Sequence, residues 1–208
     1  MKKADVMIKN AYIITMDHDR NIISNGCIVI DKDKITAVGG GELASCYEAS
    51  RVVDAKGKFV FPGMISTHSH LFQTMLKGLG RDKLLFDWLD SSVRTALYRF
   101  DGEMCYYAAL TGCMEAIQSG TTTLLDYMYC HTSPGLSDYV TQAMEDIGIR
   151  GIYGRGFTNT ANFPPEFKVA HHDTEQDMFD DVRRLYKKYE GHSRMSVALA
   201  PGIIWDNT

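Results

Sequence analysis

Over the first sixty positions apolar and polar residues alternate with a period close to two. The stretches "DVMIKNAYIITM" (5–16), "CIVIDKDKITAVG" (27–39) and "RVVDAKGKFVF" (51–61) read as strands. The second breaks at the turn Asp31-Lys32-Asp33-Lys34 and the third at Lys56-Gly57-Lys58. Residues 1–60 are therefore expected to form a small all-β unit. From residue 61 the period lengthens and apolar runs alternate with amphipathic helical segments. The first predicted helix opens at Asp101 as N-cap, carries Met104, Ala108, Thr111, Met114 and Ile117 along its length, and ends at Gly120; "TTTLLDYM" follows as a strand. A second is predicted behind Ser133-Pro134, an N-cap with proline at the first helical position, and carries Leu136, Tyr139, Val140, Ala143, Met144 and Ile147 up to Gly148. "IRGIYGRGF" is the next strand. The third predicted helix starts at Asp173-Thr174, sets Met178, Val182, Leu185 and Tyr189 on one face and ends at Gly191, before the strand "RMSVALAP".

Strands centred near Ile65, Leu124, Ile152 and Val197, each separated by helical sequence, predict successive β-α units on a parallel sheet. The alternatives are a complete four-stranded α/β sheet and half of a (β/α)8 barrel. The chain stops at "PGIIWDNT" with no closing helix, which favours the second: an α/β fold whose residues 61–208 are the first four β/α units of a truncated TIM barrel.

Composition narrows the function. With 45% hydrophobic residues in 208, the chain can bury a core. Lys plus Arg number 22 against 26 for Asp plus Glu, and the charges are scattered, so neither a nucleic acid nor a membrane surface is an expected partner and a small, roughly neutral substrate is. At the start, Asp5, Lys9 and Asn10 interrupt any apolar stretch, leaving no secretory or spanning segment and a cytoplasmic location as the expectation. The cysteines (Cys27, Cys46, Cys105, Cys113, Cys130) are odd in number with no Cys-x-x-Cys pair, so they read as small core residues.

The chemistry concentrates in "FPGMISTHSHLFQTMLKGLGRD" (61–82). On a strand, residues i and i+2 share a face, so His68 and His70 would aim both imidazoles to one side at the carboxyl end of the first barrel strand, where barrel enzymes hold their active sites. Neutral imidazole is the commonest side-chain metal ligand. A His-x-His pair alone is also common as two ordinary polar residues at a strand end.

These surroundings resemble the amidohydrolase superfamily, in which a segment "PG-apolar-apolar-x-x-H-x-H" ends the first barrel strand and its histidines hold a catalytic divalent metal. The N-terminal unit, "HSHLFQTMLKGLGRD", "LFDWL", "QSGTTTLLDYMY" and "GIRGIYGRG" look like the branch of guanine, 8-oxoguanine, S-adenosylhomocysteine and cytosine deaminases and triazine hydrolases. The resemblance implies that residues 1–60 are part of a composite β-sandwich and that His68 and His70 are the first two metal ligands. It also implies further ligands and an acid/base Glu on the fifth, sixth and eighth strands, beyond residue 208. It implies one divalent ion, zinc first, with iron or manganese also suited to the ligand set. The implied reaction is hydrolytic deamination of a purine, pyrimidine or related N-heterocycle by hydroxide generated at that ion, in a homo-oligomeric enzyme, with the 208-residue chain alone inactive. The alternatives are triazine-type dechlorination or N-dealkylation, and an inert chain that only associates through its open sheet edge.

Substrate contacts follow from the same resemblance. Gln73 matches a position that reaches the heterocycle and otherwise reads as a solvent-facing residue; Trp88 matches a pocket aromatic and otherwise reads as a packed structural Trp. Arg155 is expected to meet a substrate carbonyl or carboxylate, with a salt bridge to an acid such as Asp126 as the alternative. Asp126 could take the second N–H of a metal-bound histidine. Gly202 stands where relatives acting on adenosine-type substrates carry His, and Leu97 where they offer an acid to the ribose, which favours a free base. His131, His171, His172 and His192 read as surface or capping residues.

Overall fold

The computed structural model describes residues 1–97, 99–157 and 174–202; His171, His172 and the Asp173 start of the third predicted helix lie outside these. Two compact units divide the chain, Met1–Pro62 and Gly63–Thr208.

The first unit is one five-stranded sheet, with β1 (Lys2–Ile14), β2 (Ile22–Asp31), β3 (Lys34–Gly40), β4 (Tyr47–Asp54) and β5 (Phe59–Val60). Its order is β3-β2-β1-β4, with β5 beside the end of β1. β1 and β2 pair antiparallel, as do β2 and β3, whereas β4 and β5 run parallel to β1. Consecutive residues bury on opposite faces. Met7, Cys27 and Val29 cluster on one face, and Ala11, Ile13 and Ile28 on the other, as the period of two requires.

The second unit holds a four-stranded sheet in the order β6-β7-β8-β9, all neighbours parallel: β6 (Met64–Ser69), β7 (Thr121–Met128), β8 (Arg150–Phe157) and β9 (Met195–Pro201). A 3-10 turn over Leu71–Leu76 follows β6, and two short helices, α1 (Leu85–Trp88) and α2 (Thr95–Leu97), lead to α3 (Gly102–Gln118). The remaining helices are α4 (Leu136–Ile147) and α5 (Glu175–Lys188), each between consecutive strands. Among the described residues no helix is long and apolar enough to cross a membrane.

Asp101 caps α3 through the Met104 amide, as expected. Of the apolar residues expected along that helix, however, Ala108 alone lies on its enclosed face. Cys105, Ala108, Ala109 and Cys113 are enclosed, while Met104, Met114 and Ile117 stay more than two-fifths exposed. The cause is close approach: a Cβ on Gly112 would stand 2.8 Å from Leu71 Cδ2, so only small side chains fit between α3 and the 71–76 turn. At α4 the predicted Ser133-Pro134 start is also corrected. The N-cap is Gly135, whose φ of 84° lies in the left-handed region, and no side chain caps the helix. Thr174 caps α5 in a reciprocal pair with Asp177. Of the five cysteines, all free, only Cys46 is exposed.

Alternation along β7 sorts the sheet's two faces. Leu124 and Met128 join the core with Val140 and Met144 of α4, so they and Asp126 turn toward the helices, and Thr123, Leu125 and Tyr127 turn to the opposite, half-open face. On β8, Tyr153 and Arg155 are the residues that turn toward α4 and α5.

Candidate active site at the end of the first barrel strand

The pairing of β6 with β7 shifts register between Ser66 and Ser69, where three residues on β6 span two on β7. Such a bulge re-aims the side chains after it. Beyond the bulge three consecutive residues are tied to three on the next strand. Ser69 Oγ donates to the Leu125 carbonyl at 2.7 Å, His70 Nδ1 meets the Tyr127 carbonyl at 2.7 Å, and the Leu71 amide donates to Asp126 Oδ1 at 2.7 Å. A carbonyl only accepts, so Nδ1 of His70 carries the proton and its Nε2 keeps a lone pair. The His68 and His70 rings converge, with centroids 4.7 Å apart and planes at 87°. Burial holds the His70 pKa below the usual imidazole value, the Tyr127 carbonyl opposes this and His68 adds to it. The ring therefore stays neutral, as a ligand must be.

Asp126 does not take a histidine N–H; that partner is the Tyr127 carbonyl. The carboxyl is fully enclosed, and burial pushes its pKa up to about 7, against the lowering effect of the Leu71 amide. Its second oxygen, Oδ2, has no hydrogen-bond partner, an arrangement that costs about 1–3 kcal/mol.

Gln73 reaches the same place through another residue. Its Nε2 donates to the Tyr129 hydroxyl at 2.6 Å, and the Tyr129 ring lies 5.4 Å from that of His70. Tyr127, at 5.1 Å, and Phe72, at 6.3 Å, complete an aromatic surround for that imidazole. The sequence reading missed Tyr127 and Tyr129, although their i, i+2 spacing is the signal that singled out the two histidines.

Trp88 and Arg155 are not brought to the pair by any described contact. Trp88 is partly buried, packs on the apolar core and lies over Gly80, whose added Cβ would meet its Cδ1 at 3.0 Å. Arg155, expected to meet substrate, is 3% exposed and turned into the helix layer, where its Nε donates to Asp181 Oδ2 of α5 at 2.8 Å. The strand's alternation is the reason: Arg155 shares a face with Tyr153, whose hydroxyl donates to Ser137 of α4 at 3.0 Å. The salt-bridge alternative holds, with Asp181 in place of Asp126. A cavity of about 580 Å³ on this helix side is lined by Arg155, Asp181, Arg184, Asp138 and His131, and by none of His68, His70 and Gln73.

His131 is buried rather than on the surface, with Nε2 3.1 Å from the Met128 carbonyl. His192 is exposed beyond the end of α5, and its Nδ1 accepts the Met195 amide at the start of β9 at 3.0 Å. Leu97 is 2% exposed in the core, and the Gly202 amide donates to the Phe157 carbonyl at 2.8 Å.

Among the described residues no group of three or more His, Cys, Asp or Glu could hold a metal ion. His68 and His70 bring two converging imidazole rings together, a set that fits part of the shell of a zinc-type ion.

A sequence profile of the amidohydrolase family matches residues 59–208. The 5-methylthioadenosine/S-adenosylhomocysteine deaminase of Bacillus cereus (strain AH820) is 30% identical over 187 residues, which is 89% of this chain and 40% of that protein. A triazine hydrolase variant matches in structure with a TM-score of 0.84 at 22% identity, over 98% of this chain and 47% of that one. An adenosine deaminase from Xanthomonas campestris, with bound zinc, matches with a TM-score of 0.82 at 19% identity, over 96% of this chain and 43% of that one. These structural likenesses show the fold, the first half of the barrel expected from the sequence. The chain spans about 40% of the length of the curated relative it matches. With the profile covering most of its length, the chain belongs to the amidohydrolase family.

Proposed function

We propose that His68 and His70 are two ligands of a catalytic divalent ion, zinc first, in an enzyme that deaminates a purine or related N-heterocycle by hydrolysis. The observation that carries this is the His70 hydrogen bond to the Tyr127 carbonyl, which fixes the ring with Nε2 unprotonated beside the ring of His68. The zinc named with the adenosine deaminase structure and the activity named for the Bacillus relative support the reading.

When bound, such an ion lowers the pKa of water to about 7. The chain's own residues do the rest. Ser69, His70 and Leu71 are anchored to β7, so the His70 imidazole is held beside His68 before an ion arrives. Phe72, Tyr127 and Tyr129 shield His70 from solvent, and Gln73, held through Tyr129, borders the site as the candidate contact to a heterocycle edge. Trp88 and Arg155 are assigned to packing. The proton-transferring carboxylates that the family resemblance implies fall in the part of the relatives' length that this chain does not span.

The relative's name points to an adenine nucleoside, against the free base favoured by Gly202 and Leu97. The test is metal analysis together with product release from a panel of purine bases, adenine nucleosides and chlorotriazines, run on a full-length protein that includes the part of the relatives' length this chain does not span, as wild type and as His68→Ala. Metal in the wild type, its loss in the variant and ammonia as product support the proposal. Chloride or alkylamine as product moves it to triazine chemistry. Metal content untouched by the substitution refutes it.

A further inference from the structure

On the helix-facing side of β7 Asp126 stands between Leu124 and Met128, which are 2% and 0% exposed. An apolar side chain would suit that position; a carboxyl with one oxygen unpartnered does not. No ion pair to Asp126 is found among the described residues, so only the Leu71 amide bond to one oxygen offsets its burial. A polar group kept at a cost to the fold marks a place where local function competes with stability.

The carboxyl's only hydrogen bond among the described residues identifies the function it serves. The Leu71 amide is the first unsatisfied donor of the turn that follows His70, and His70, the residue before that turn, supplies no side-chain cap. Asp126 supplies the cap from the neighbouring strand. The residue after His70 is thereby fixed by the same strand whose Tyr127 carbonyl holds the His70 ring. One bond sets the backbone and the other the imidazole.

We infer that Asp126 is a positioning residue for the metal site, holding the Leu71 amide so that His70 presents Nε2 beside His68. The inference rests on the proposed role of the two histidines and adds a residue that touches neither metal nor substrate.

The experiment compares Asp126→Leu and Asp126→Asn with the wild type by three measurements: thermal unfolding of the metal-free protein, the imidazole nitrogen chemical shifts of His70 without metal, and zinc affinity by competition with a chelator. The leucine variant is expected to unfold at the same temperature or higher, to lose the clean Nδ1-protonated signature of His70, and to bind zinc about tenfold or more weakly. The asparagine variant, which keeps an oxygen for the Leu71 amide, is expected to stay close to the wild type in His70 signature and in zinc binding. A leucine variant with wild-type His70 shifts and zinc affinity overturns the inference. So does one in which stability, shifts and affinity all collapse together while asparagine does the same, because that is the pattern of a residue needed only for folding. Should the wild type bind no zinc, the metal reading fails, while the His70 shifts of the metal-free protein still decide the role of Asp126.

Discussion

His70 Nδ1 lies 2.7 Å from the carbonyl oxygen of Tyr127 on the neighbouring strand, and this bond decides which nitrogen of the ring can bind anything else. With Nδ1 occupied, Nε2 is the donor that converges with His68. Replacing either histidine with alanine removes one of two converging donors, and zinc affinity measured by chelator competition is expected to fall about tenfold or more. An unchanged affinity in both variants would place the metal elsewhere.

Tyr129 and Gln73 form one unit, joined at 2.6 Å. Tyr129→Phe removes the acceptor and leaves the amide without it, at an expected cost of about 1 kcal/mol in urea unfolding. Gln73→Leu in the same background should then add little, since the bond is already gone. Full additivity of the two losses would show that the pair does not act together.

Arg155 and Asp181 are buried partners, with side chains 3% and 14% exposed. Removing one member of such a pair costs about 3 kcal/mol, because the other charge stays in the interior. Asp181→Asn is therefore expected to lower the unfolding midpoint strongly while zinc affinity of the remaining folded protein holds. A variant of normal stability with altered substrate affinity would return Arg155 to the substrate.

Stability of the metal-free protein should carry an unusual pH dependence. Asp126 titrates near 3.8 when unfolded and is pushed up to about 7 by burial in the fold. Between these values the folded state keeps a proton that the unfolded chain has lost, so the contribution of Asp126 falls as pH rises from about 4 to about 7 and is level above that. His70 acts oppositely. Its folded pKa is depressed below 6.5, so the unfolded chain takes up a proton first as pH falls through 6.5, and stability drops on the acid side. Urea midpoints from pH 4 to 8 for the wild type and Asp126→Leu isolate the first effect; identical slopes would show that Asp126 is not protonated in the fold.

Gly156 sits where β8 passes the end of β7. An added Cβ would run into the Met128 carbonyl oxygen and come within 2.7 Å of Tyr129 Cα, both backbone atoms. Gly156→Ala is expected to cost about 1–3 kcal/mol, and to shift the NMR signals of Tyr129 and His70. Silence at both residues would mean that the strands separate without moving the site.

Short-range periodicity determined much of this protein. Alternation marked the strands, and Asp101 and Thr174 announced two helix starts because a cap is a bond between near neighbours. The spacing of His68 and His70 pointed to a shared side, but β6 ends at Ser69, and the two rings converge across a bulge with His70 tied to Tyr127. The tertiary structure decided what depends on distant partners. Which face of α3 is buried followed from how closely the 71–76 turn approaches Gly112, and the helix-ward turn of Arg155 followed from which side of the sheet α5 covers. Asp126 and Tyr129 joined the site through bonds to residues 55 and 56 positions away. Periodicity along a chain shows that two residues share a side; only packing chooses which side faces the core.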